Sequence, residues 1–456
     1  MKAHQVTAII FFILLLVLSA CNLPFEYDDD DYDNGEWGET VVESYDEADD
    51  FDEVEAPHIV ETDSFRRSFR FSLPLFSPDS AWNQRADTVS VLPKSDDQIL
   101  SLYRVLLGDI SSLEGYDEAA TNWPFMDVNM HEYSIPIYLA GNGEQEVLIC
   151  EDEGVLGWAH PKFDIGSEGG PVTVPAPAGI IRSGGPENED ADGHLVIYDP
   201  HTSIAYDYFA AYLHHNDDCE GFEGGETGGQ IFQAGVVDFF DLTGSGANSD
   251  GYYSARAVGT PLLAGLILPE DIESGEIAHA LSFAIPGPRN TSRDPYEPKK
   301  SDYFYPASTT ETDFYNTDPN ALASGQRIRL KQTIVDGNGE AIDENELAPI
   351  TRIYLKALRE YGAYLVDNAG GFSFYAEDIH TAVLNLSDDE INILIGEPSG
   401  TSLPARMTKW QIVIEKLGVD LELIPFAVSL GDNESHPSSV EIKIANFEVV
   451  KPAIIP

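Results

Sequence analysis

The chain has 456 residues, of which 43% are hydrophobic and 11% aromatic, enough to build a sizeable core. Its formal net charge at pH 7 is −54, which excludes a bare nucleic-acid partner because phosphate binding needs a basic protein face. The 38 Gly and 28 Pro, against only 4 Met, favour a turn-rich β protein over a helical bundle.

The first 21 residues have the order of a secretory signal. Lys2 and His4 precede an apolar run over residues 8–17, and the tetrapeptide LSAC follows at 18–21. A cysteine at the cleavage position resembles the lipobox of bacterial lipoproteins. The resemblance implies cleavage before Cys21, a lipid on its sulfur, and export to the bacterial cell membrane or outer membrane. The alternative is an uncleaved anchor helix, although spanning a bilayer takes about 20 apolar residues.

Residues 22–65 form a separate acidic segment. They include 18 Asp or Glu and no Lys or Arg, a composition too charged to fold alone. Like charges extend such a segment, so we expect a disordered tether that holds the following domain away from the membrane. The rest of the chain keeps a net charge near −36. This charge is typical of a highly soluble domain, and the alternative is a domain that binds divalent cations.

Short alternating runs begin at residue 66 and are separated by Gly, Pro, Asn and Asp. They predict a mainly β domain over 66–386, a β-sandwich or jelly roll with a few peripheral helices. Alternation returns over 387–456, which predicts a C-terminal β segment that either completes this domain or forms an appended unit. We expect helices over 96–107 and 347–361 and a helical turn over 269–276. We expect strands over 69–73, 134–139, 172–174, 194–198, 204–208, 281–285, 327–333, 364–367, 412–414, 421–424 and 440–444.

The cysteine count leaves one disulfide open. If Cys21 carries a lipid, Cys150 and Cys219 remain, and an exported protein can oxidise them to a single bridge. The sequence does not decide between a bridge and two free thiols. The cysteines do not have the spacing of a zinc site.

Oxygen-bearing side chains are densest over residues 188–199. Asn188, Asp190, Asp192 and Asp199 occupy the first, third, fifth and twelfth positions, with a glycine at the sixth, which is the spacing of an EF-hand-type calcium loop. A calcium site is therefore one interpretation of this segment. Against it, no predicted helix precedes the loop and a strand follows.

The competing interpretation is a β-hairpin over residues 194–208, because Pro-His-Thr-Ser separates its two apolar runs. We expect one face to carry His194 and Tyr198 together with Tyr206 and Tyr208 of the partner strand. Such a face suits a sugar, since aromatic rings stack on it and the polar tips bond its hydroxyls. Tyr198 and Tyr208 would then bind substrate and Tyr206 would act in catalysis. The alternative is that these tyrosines belong to the core.

Three other positions are candidates for a site. Arg256 is rare in so acidic a chain, and we expect it to face a carboxylate or an anionic ligand. His279 begins an apolar strand, where it is either a satisfied core residue or a catalytic group. Asp367 and Asn368 lie where a strand meets a Gly-rich turn, so they either face a cleft or make an ordinary Asx turn.

Four stretches of the chain together resemble an uncharacterised family of exported bacterial proteins. They cover residues 193–199, 259–279, 318–331 and 361–368. The resemblance spans most of residues 77–378. It implies no activity, so it assigns no catalytic role.

These patterns favour an exported, lipid-anchored protein that acts on an extracellular glycan. A lyase would use His194 or His279 with a tyrosine as base and acid, and Arg256 to neutralise a uronate. A hydrolase would instead use two carboxylates across the scissile bond. The candidates for that pair are Asp192, Asp199, Asp207, Glu276 and Asp367. The alternative is a non-catalytic surface module that binds glycan, protein or calcium, so the sequence leaves open whether the protein is an enzyme.

Overall fold

A computed structural model of the chain describes residues 67–453 with several gaps. The predicted signal and tether, Cys150 and Cys219 lie outside the described residues, as do Asn188 and Asp190. The gaps are 107–112, 115–122, 141–144, 150–157, 160–169, 175–179, 186–190, 212–231, 249–251, 293–298, 312–314, 336–339 and 423–445.

The described part is rich in β-sheet. Its strands are β1 Leu113–Glu114, β2 Trp123–Asn129, β3 Ile137–Leu139, β4 Gln145–Ile149, β5 Trp158–Ala159, β6 Gly170–Val174, β7 Leu195–Asp199, β8 Ile204–Phe209, β9 Phe232–Ala234, β10 Val236–Asp241, β11 Leu281–Ile285, β12 Tyr315–Asn316, β13 Arg327–Leu330, β14 Ala363–Asn368, β15 Gly371–Tyr375 and β16 Phe447–Val450. Its α-helices are α1 Ser95–Leu106, α2 Pro269–Ser274, α3 Pro349–Glu360, α4 Asp388–Leu394 and α5 Lys409–Glu422. Two single 3-10 turns, Ala81–Asn83 and Glu344–Glu346, complete the regular structure.

Two mixed sheets dominate the fold. The five-stranded sheet has the order β3-β7-β8-β10-β5, and the six-stranded sheet has the order β16-β13-β14-β11-β15-β2. Parallel pairs occur in both, namely β3 with β7 and β10 with β5 in the first, and β11 with β14 and β15 with β2 in the second. The prediction of a mainly β protein is thus confirmed at the level of two mixed sheets with few helices.

The six-stranded sheet has a buried core on each face. Side chains alternate along a strand, so Ala363 and Leu365 of β14 pack into one core while Tyr364 and Val366 pack into the other. The first core includes residues of α1, α3, α4 and α5. The second includes Val196 of the five-stranded sheet. The helices therefore cover one sheet face instead of lying at the periphery, and the opposite face shares a core with the other sheet.

Local signals placed several elements well. The helices predicted over 96–107, 269–276 and 347–361 correspond to α1, α2 and α3, and the hairpin predicted over 194–208 is formed by β7 and β8. Gly275 ends α2 in the left-handed conformation, with φ of 73°. Such a residue closes a helix without a steric penalty on Cβ.

Three strand predictions are wrong in whole or in part, and the one over 440–444 lies outside the described residues. The described part of 421–424, residues 421–422, belongs to helix α5. Residues 69–73 form no strand, although Phe71 is buried. Residues 412–414 lie in helix α5, because Trp410, Val413 and Leu417 recur at helical spacing and fill the core against the six-stranded sheet. A short apolar run is typical of a buried strand as well as of a helix. Here the helical spacing of the apolar residues around it decides the structure.

Helix α4 was missed at the sequence level. Its N-cap, Ser387, accepts a hydrogen bond from the Glu390 backbone N–H, and the Glu390 side chain accepts one from the Ser387 backbone N–H. This capping box is a helix-start signal that the sequence does carry. Among the helices of the described part, none combines the length and the apolar character that crossing a membrane requires.

Candidate functional site

The register of the hairpin decides which side chains share a face. Val196 lies opposite Asp207, and Leu195 lies opposite Tyr208. Residues that lie opposite each other point to the same face, and the next residue along points to the other. Asp207 therefore shares the face of His194, which lies two residues before Val196.

The predicted sugar-binding face is wrong at two positions. Tyr206 and Tyr208 lie on the opposite face of the hairpin. Both pack with a third, smaller core that includes Leu195, Ile197 and Val237, and Tyr208 is fully buried there. The prediction paired the strands one residue out of register, and such a slip moves every side chain to the other face. Tyr198 does stay on the His194 side, where its ring packs 5.6 Å from Phe69 and 5.2 Å from Phe71, centre to centre.

The calcium-loop geometry is also contradicted by the described residues. Asp192 precedes β7 and Asp199 ends it, so a five-residue strand separates them. A strand rises about 3.3 Å per residue, which puts the two carboxylates too far apart for one ion. Asp199 instead accepts hydrogen bonds from the His201 backbone N–H at 2.9 Å and the Thr202 hydroxyl at 2.8 Å. It stabilises the turn of the hairpin.

Several candidate residues meet between the two sheets around one arginine. The carboxylates of Asp192, Asp207 and Asp367 all attract the guanidinium of Arg256 electrostatically. These charges come from the approach to β7, from β8, from the end of β14 and from the irregular segment over 252–268. The group, named the Arg256 cluster, consists of Asp192, His194, Asp207, Arg256, Asp367 and Tyr375.

Arg256 is almost completely buried, with 1% of its surface exposed. Its guanidinium lies 4.4 Å from the centre of the Tyr375 ring, in cation–π geometry. Its two terminal nitrogens make only long contacts, 3.5 Å to the Ala264 carbonyl and 3.4 Å to the Leu262 carbonyl. Its Nε has no hydrogen-bond partner among the described residues. The cation therefore keeps bonding capacity for another group.

All three carboxylates of the cluster hold their protons more tightly than an exposed carboxylate does. Burial raises the pKa of Asp207 to about 7, against the lowering effects of a hydrogen bond from the Leu262 backbone N–H and of Arg256. Burial likewise raises the pKa of Asp367 to about 6, although Arg256 and His194 lower it. One Asp207 oxygen accepts the Leu262 N–H at 2.7 Å, and its other oxygen has no partner within the described part.

Asp192 lies at the more open side of the cluster, next to the buried ring of His194. Burial lowers the pKa of His194 to about 4, so the ring is neutral at pH 7. Its Nε2 contacts the Ala255 carbonyl at 3.2 Å, which assigns the ring proton to that nitrogen. The other nitrogen, Nδ1, lies 3.6 Å from a carboxylate oxygen of Asp192, whose side chain is 38% exposed. The surrounding protein still raises the pKa of Asp192 by desolvation, while Arg256 opposes the rise.

Gly193 adopts a backbone conformation that places its two neighbours, Asp192 and His194, in the cluster. Its φ is +62°, and an added Cβ would lie 2.8 Å from a side-chain nitrogen of Arg182 and 3.0 Å from the Ala211 backbone nitrogen. The hairpin ladder continues here, because Ala210 N–H donates to the Asp192 carbonyl at 2.9 Å and Ala211 N–H donates to the Gly193 carbonyl at 3.1 Å. This pairing fixes the backbone on both sides of His194.

His279 is not among the residues that interact with Arg256. Its Nε2 lies 3.3 Å from Asp271 Oδ2, and its Nδ1 lies 3.0 Å from the Ala280 carbonyl. Burial lowers its pKa, but the charge and hydrogen bond of Asp271 outweigh this and raise it overall. His279 lines a surface cavity of about 330 Å³ together with three acidic side chains, those of Glu270, Asp271 and Glu276.

Asn368 lies beside Asp367 at the end of β14, as the sequence predicts. Its side-chain oxygen accepts the Gly287 backbone N–H at 3.0 Å, and its own N–H donates to Asp367 at 3.0 Å. The side-chain bonds at this strand end are not those of an Asx turn, and both residues are partly exposed.

Sequence reasoning missed two parts of the described structure. Tyr375 belongs to the Arg256 cluster and was not predicted there. Asp207 was among the candidate carboxylates, but the hairpin register predicted from the sequence did not put it on the face of His194. His131, Asp378 and His380 form the single group of metal-ligand type found among the described residues. The Asp-x-His spacing of the last two was visible, but nothing in the sequence connected them to His131.

Near neutral pH the Arg256 cluster contains groups that can donate a proton and a group that can accept one. Carboxyl groups with raised pKa values can donate a proton, and a neutral imidazole with a free nitrogen can accept one. Arg256 can stabilise negative charge nearby. No protein-family model matches the chain, and no curated protein or solved structure does either.

Proposed function

We propose that the protein is an exported enzyme that acts on extracellular carbohydrate, with the Arg256 cluster as its catalytic centre. The supporting observation is a pair of carboxylates, Asp192 and Asp367, both partly exposed and both with raised pKa values, beside one buried cation. Perturbed pKa values of this kind are concentrated at functional sites.

Hydrolysis is the reaction that this pair fits first. A glycosidase uses one protonated carboxylic acid to protonate the leaving oxygen and one carboxylate as base or nucleophile. The pKa of Asp367, about 6, keeps a protonated fraction near neutral pH. Asp192 would then serve as the carboxylate: burial raises its pKa to about 6 as well, while the charge of Arg256 opposes the rise, so most of it is ionised at pH 7.

A lyase reaction is the second way in which the same cluster could cleave a glycan. His194 is neutral and offers Nδ1 as a base, and Tyr375 takes the place that the sequence prediction assigned to Tyr206. Arg256 would pair with the carboxylate of a uronic acid. The two reactions leave different products, so one assay distinguishes them.

The test uses the purified full chain against a panel of neutral and acidic polysaccharides. Reducing ends report hydrolysis, and ultraviolet absorbance of unsaturated products reports a lyase. We expect Asp192→Asn and Asp367→Asn to lower the rate by about 10²–10⁴-fold, the contribution of a general acid or base. Asp199→Asn is the matched control, because Asp199 lies in an exposed turn, and it should keep the full rate. Absence of cleavage on every glycan would contradict the proposal for that panel.

A non-catalytic binding module is the alternative, and the acidic cavity beside His279 favours it. Glu270 bonds Arg67 with both oxygens at 2.6 Å, and Glu276 lies 2.5 Å from Lys356. Both nitrogens of His279 are also engaged, so these groups suit binding of hydroxyls or cations better than proton transfer. Retention on a glycan column without cleavage, abolished by Glu276→Gln, would support this function over the enzyme.

We also infer that the two large sheets form a sandwich and not a jelly roll. The shared core supports face-to-face packing, since it includes Val196 from one sheet and Tyr364 from the other. A jelly roll is built from antiparallel strands, whereas both sheets contain parallel pairs.

We propose lipid anchoring at Cys21 on the sequence pattern alone. Metabolic labelling with a fatty acid in a bacterial host should label the full chain and leave Cys21→Ser unlabelled. Labelling of both proteins, or of neither, would contradict the lipobox assignment. The proposed partners are then a membrane, through the lipid, and an extracellular glycan.

A further inference from the structure

Parallel pairing of two strands brings three metal-ligand side chains together. Strands β2 and β15 run parallel, and Asn129 at the end of one lies opposite Tyr375 at the end of the other. The segments that follow these two strands therefore leave the sheet at the same end. His131 follows β2 by two residues, and Asp378 and His380 follow β15 closely.

Backbone hydrogen bonds continue past the strand ends and hold these two segments in place. The Ile379 N–H donates to the Met130 carbonyl at 3.0 Å, and the Asp378 N–H donates to the Ile135 carbonyl at 3.2 Å. The Gly184 N–H donates to the His131 carbonyl at 3.0 Å. The three side chains thus extend from backbone that is fixed on both sides.

Asp378 is the centre of the group and is fully buried. Its Oδ1 accepts a hydrogen bond from His380 Nδ1 at 2.8 Å, and its Oδ2 accepts one from the Ser134 hydroxyl at 2.5 Å. The two imidazole rings lie 5.1 Å apart, centre to centre.

His131 completes the group with an unused nitrogen. Its Nδ1 lies 4.0 Å from Asp378 Oδ2, too far for a hydrogen bond. This nitrogen is buried and has no hydrogen-bond partner among the described residues. A buried nitrogen that faces a buried carboxylate without a bond is costly unless something lies between them.

We propose that His131, Asp378 and His380 bind a divalent transition-metal ion, with zinc as the ion that the ligands fit. Two imidazoles and one carboxylate form a three-ligand set that leaves a position for water or substrate, as in catalytic zinc sites. The rings of His131 and His380 are 43% and 22% exposed, so solvent reaches this open side. This inference is independent of the proposed glycan activity.

The distances require little rearrangement. All three ligand atoms lie within 4.8 Å of one another. In a tetrahedral zinc site with bonds of about 2.0–2.1 Å, two ligand atoms lie about 3.4 Å apart. The His131 Nδ1 lies 4.0 Å from Asp378 Oδ2, and rotation of this partly exposed ring closes the difference. The ion replaces the proton that His380 shares with Asp378, and that proton passes to solvent.

Ser134 has a supporting role in the proposed site. Its hydroxyl lies 2.5 Å from Asp378 Oδ2 and 2.8 Å from the His131 carbonyl, so its one proton is shared between these two acceptors. Hydrogen bonds of this kind orient the residues that ligate a metal. Ser134→Ala should therefore weaken zinc binding about 10- to 100-fold without removing a ligand.

The experiment titrates the full chain with zinc alone. The protein is purified without a histidine tag, stripped with a chelator, and followed by calorimetry in the absence of polysaccharide. We expect one site that is tighter than the background of the acidic residues, and a loss of at least about tenfold in affinity for His131→Ala and for His380→Ala. His201→Ala is the matched control, because His201 is exposed on the hairpin turn, and it should keep the tight site.

A second measurement keeps the proposal testable if a variant does not fold. X-ray absorption of the zinc-loaded wild-type chain should show two imidazole ligands on the ion. A zinc environment of oxygen ligands only, or tight binding that survives in both folded histidine variants, would overturn the proposal. Failure of the zinc site would leave the glycan assay unaffected, because that assay uses different residues.

Discussion

At the scale of single residues, the Arg256 cluster contains more acidic groups than basic ones. One buried cation faces three carboxylates, and desolvation makes it costly for all three to be ionised together. Protons relieve that cost, which is why the pKa values of Asp207 and Asp367 lie near 7 and 6. The same protons give the cluster its capacity for acid–base chemistry.

Asp207→Asn should make the stability of the protein less dependent on pH. The pKa of Asp207 is about 7 when folded and about 3.9 when unfolded, so the folded state binds more protons between these values. Wild-type stability therefore falls as pH rises from about 4 to about 7. In this window Asp207 should lower the free energy of unfolding of the wild type by on the order of 2–4 kcal/mol, at about 1.4 kcal/mol per pKa unit. We expect this decrease to be absent from the variant.

Urea unfolding at several pH values measures this effect. Asp199→Asn is the control, because burial raises the pKa of Asp199 but the turn hydrogen bonds and nearby His201 together outweigh it and lower the pKa overall. It should keep the wild-type fall over the same pH window. An Asp207→Asn protein with an unchanged slope would contradict the assignment of a tightly held proton to Asp207.

At the scale of elements, the hairpin formed by β7 and β8 positions two residues of the Arg256 cluster. Its turn is stabilised by Asp199, and its open end carries Asp192 and His194 into the cluster. Gly193 lies between those two residues, with a left-handed φ and with backbone atoms close to its missing Cβ. The conformation of this one residue therefore determines where both site residues lie.

Gly193→Ala should destabilise the protein more than Gly185→Ala does. Both glycines have a positive φ, +62° and +83°, so both variants accept a strain of about 1 kcal/mol or more. Only at Gly193 does an added Cβ meet a backbone atom, Ala211 N at 3.0 Å; at Gly185 nothing lies within 4 Å. We expect an additional loss of about 1–3 kcal/mol, the cost of overpacking. Equal free energies of unfolding for the two variants would contradict the close approach.

At the scale of the whole molecule, negative charge dominates: the net charge is −54, and about −36 remains when the 18 acidic residues of 22–65 are left out. Like charges on a folded domain repel one another and lower its stability. Few of the surface ion pairs can offset this, since pairs such as Arg85 with Asp87 are about half exposed on the arginine side and contribute little.

Sodium chloride should therefore stabilise the folded protein. Raising the ionic strength from 0.1 to 1 M shortens the Debye length from about 10 to about 3 Å and screens the repulsion. We expect the melting temperature to rise by a few degrees, on the order of the shift that about 1 kcal/mol produces in a protein of this size. Calorimetry over a salt series measures it, with sucrose at equal osmolality as the control. A fall in melting temperature would mean that surface ion pairs outweigh the net charge.

The sequence by itself determined the features that depend on neighbouring residues. Helices α1 and α3 and the β7–β8 hairpin follow from spacing and from caps and turns, and these act within a few residues of the chain. The identity of Arg256, His194 and Asp367 as unusual residues was also visible. Short apolar runs were less certain, and residues 412–414 became helical because their neighbours carry the helical period.

Only the tertiary structure decided which of these residues meet. Pairing register put Asp207 beside His194 and moved Tyr206 and Tyr208 to the other face, because a shift of one residue reverses every side chain. Parallel pairing of β2 with β15 brought His131 to Asp378 from a distant part of the chain. Such contacts depend on how whole strands associate, and local sequence spacing carries no record of that association.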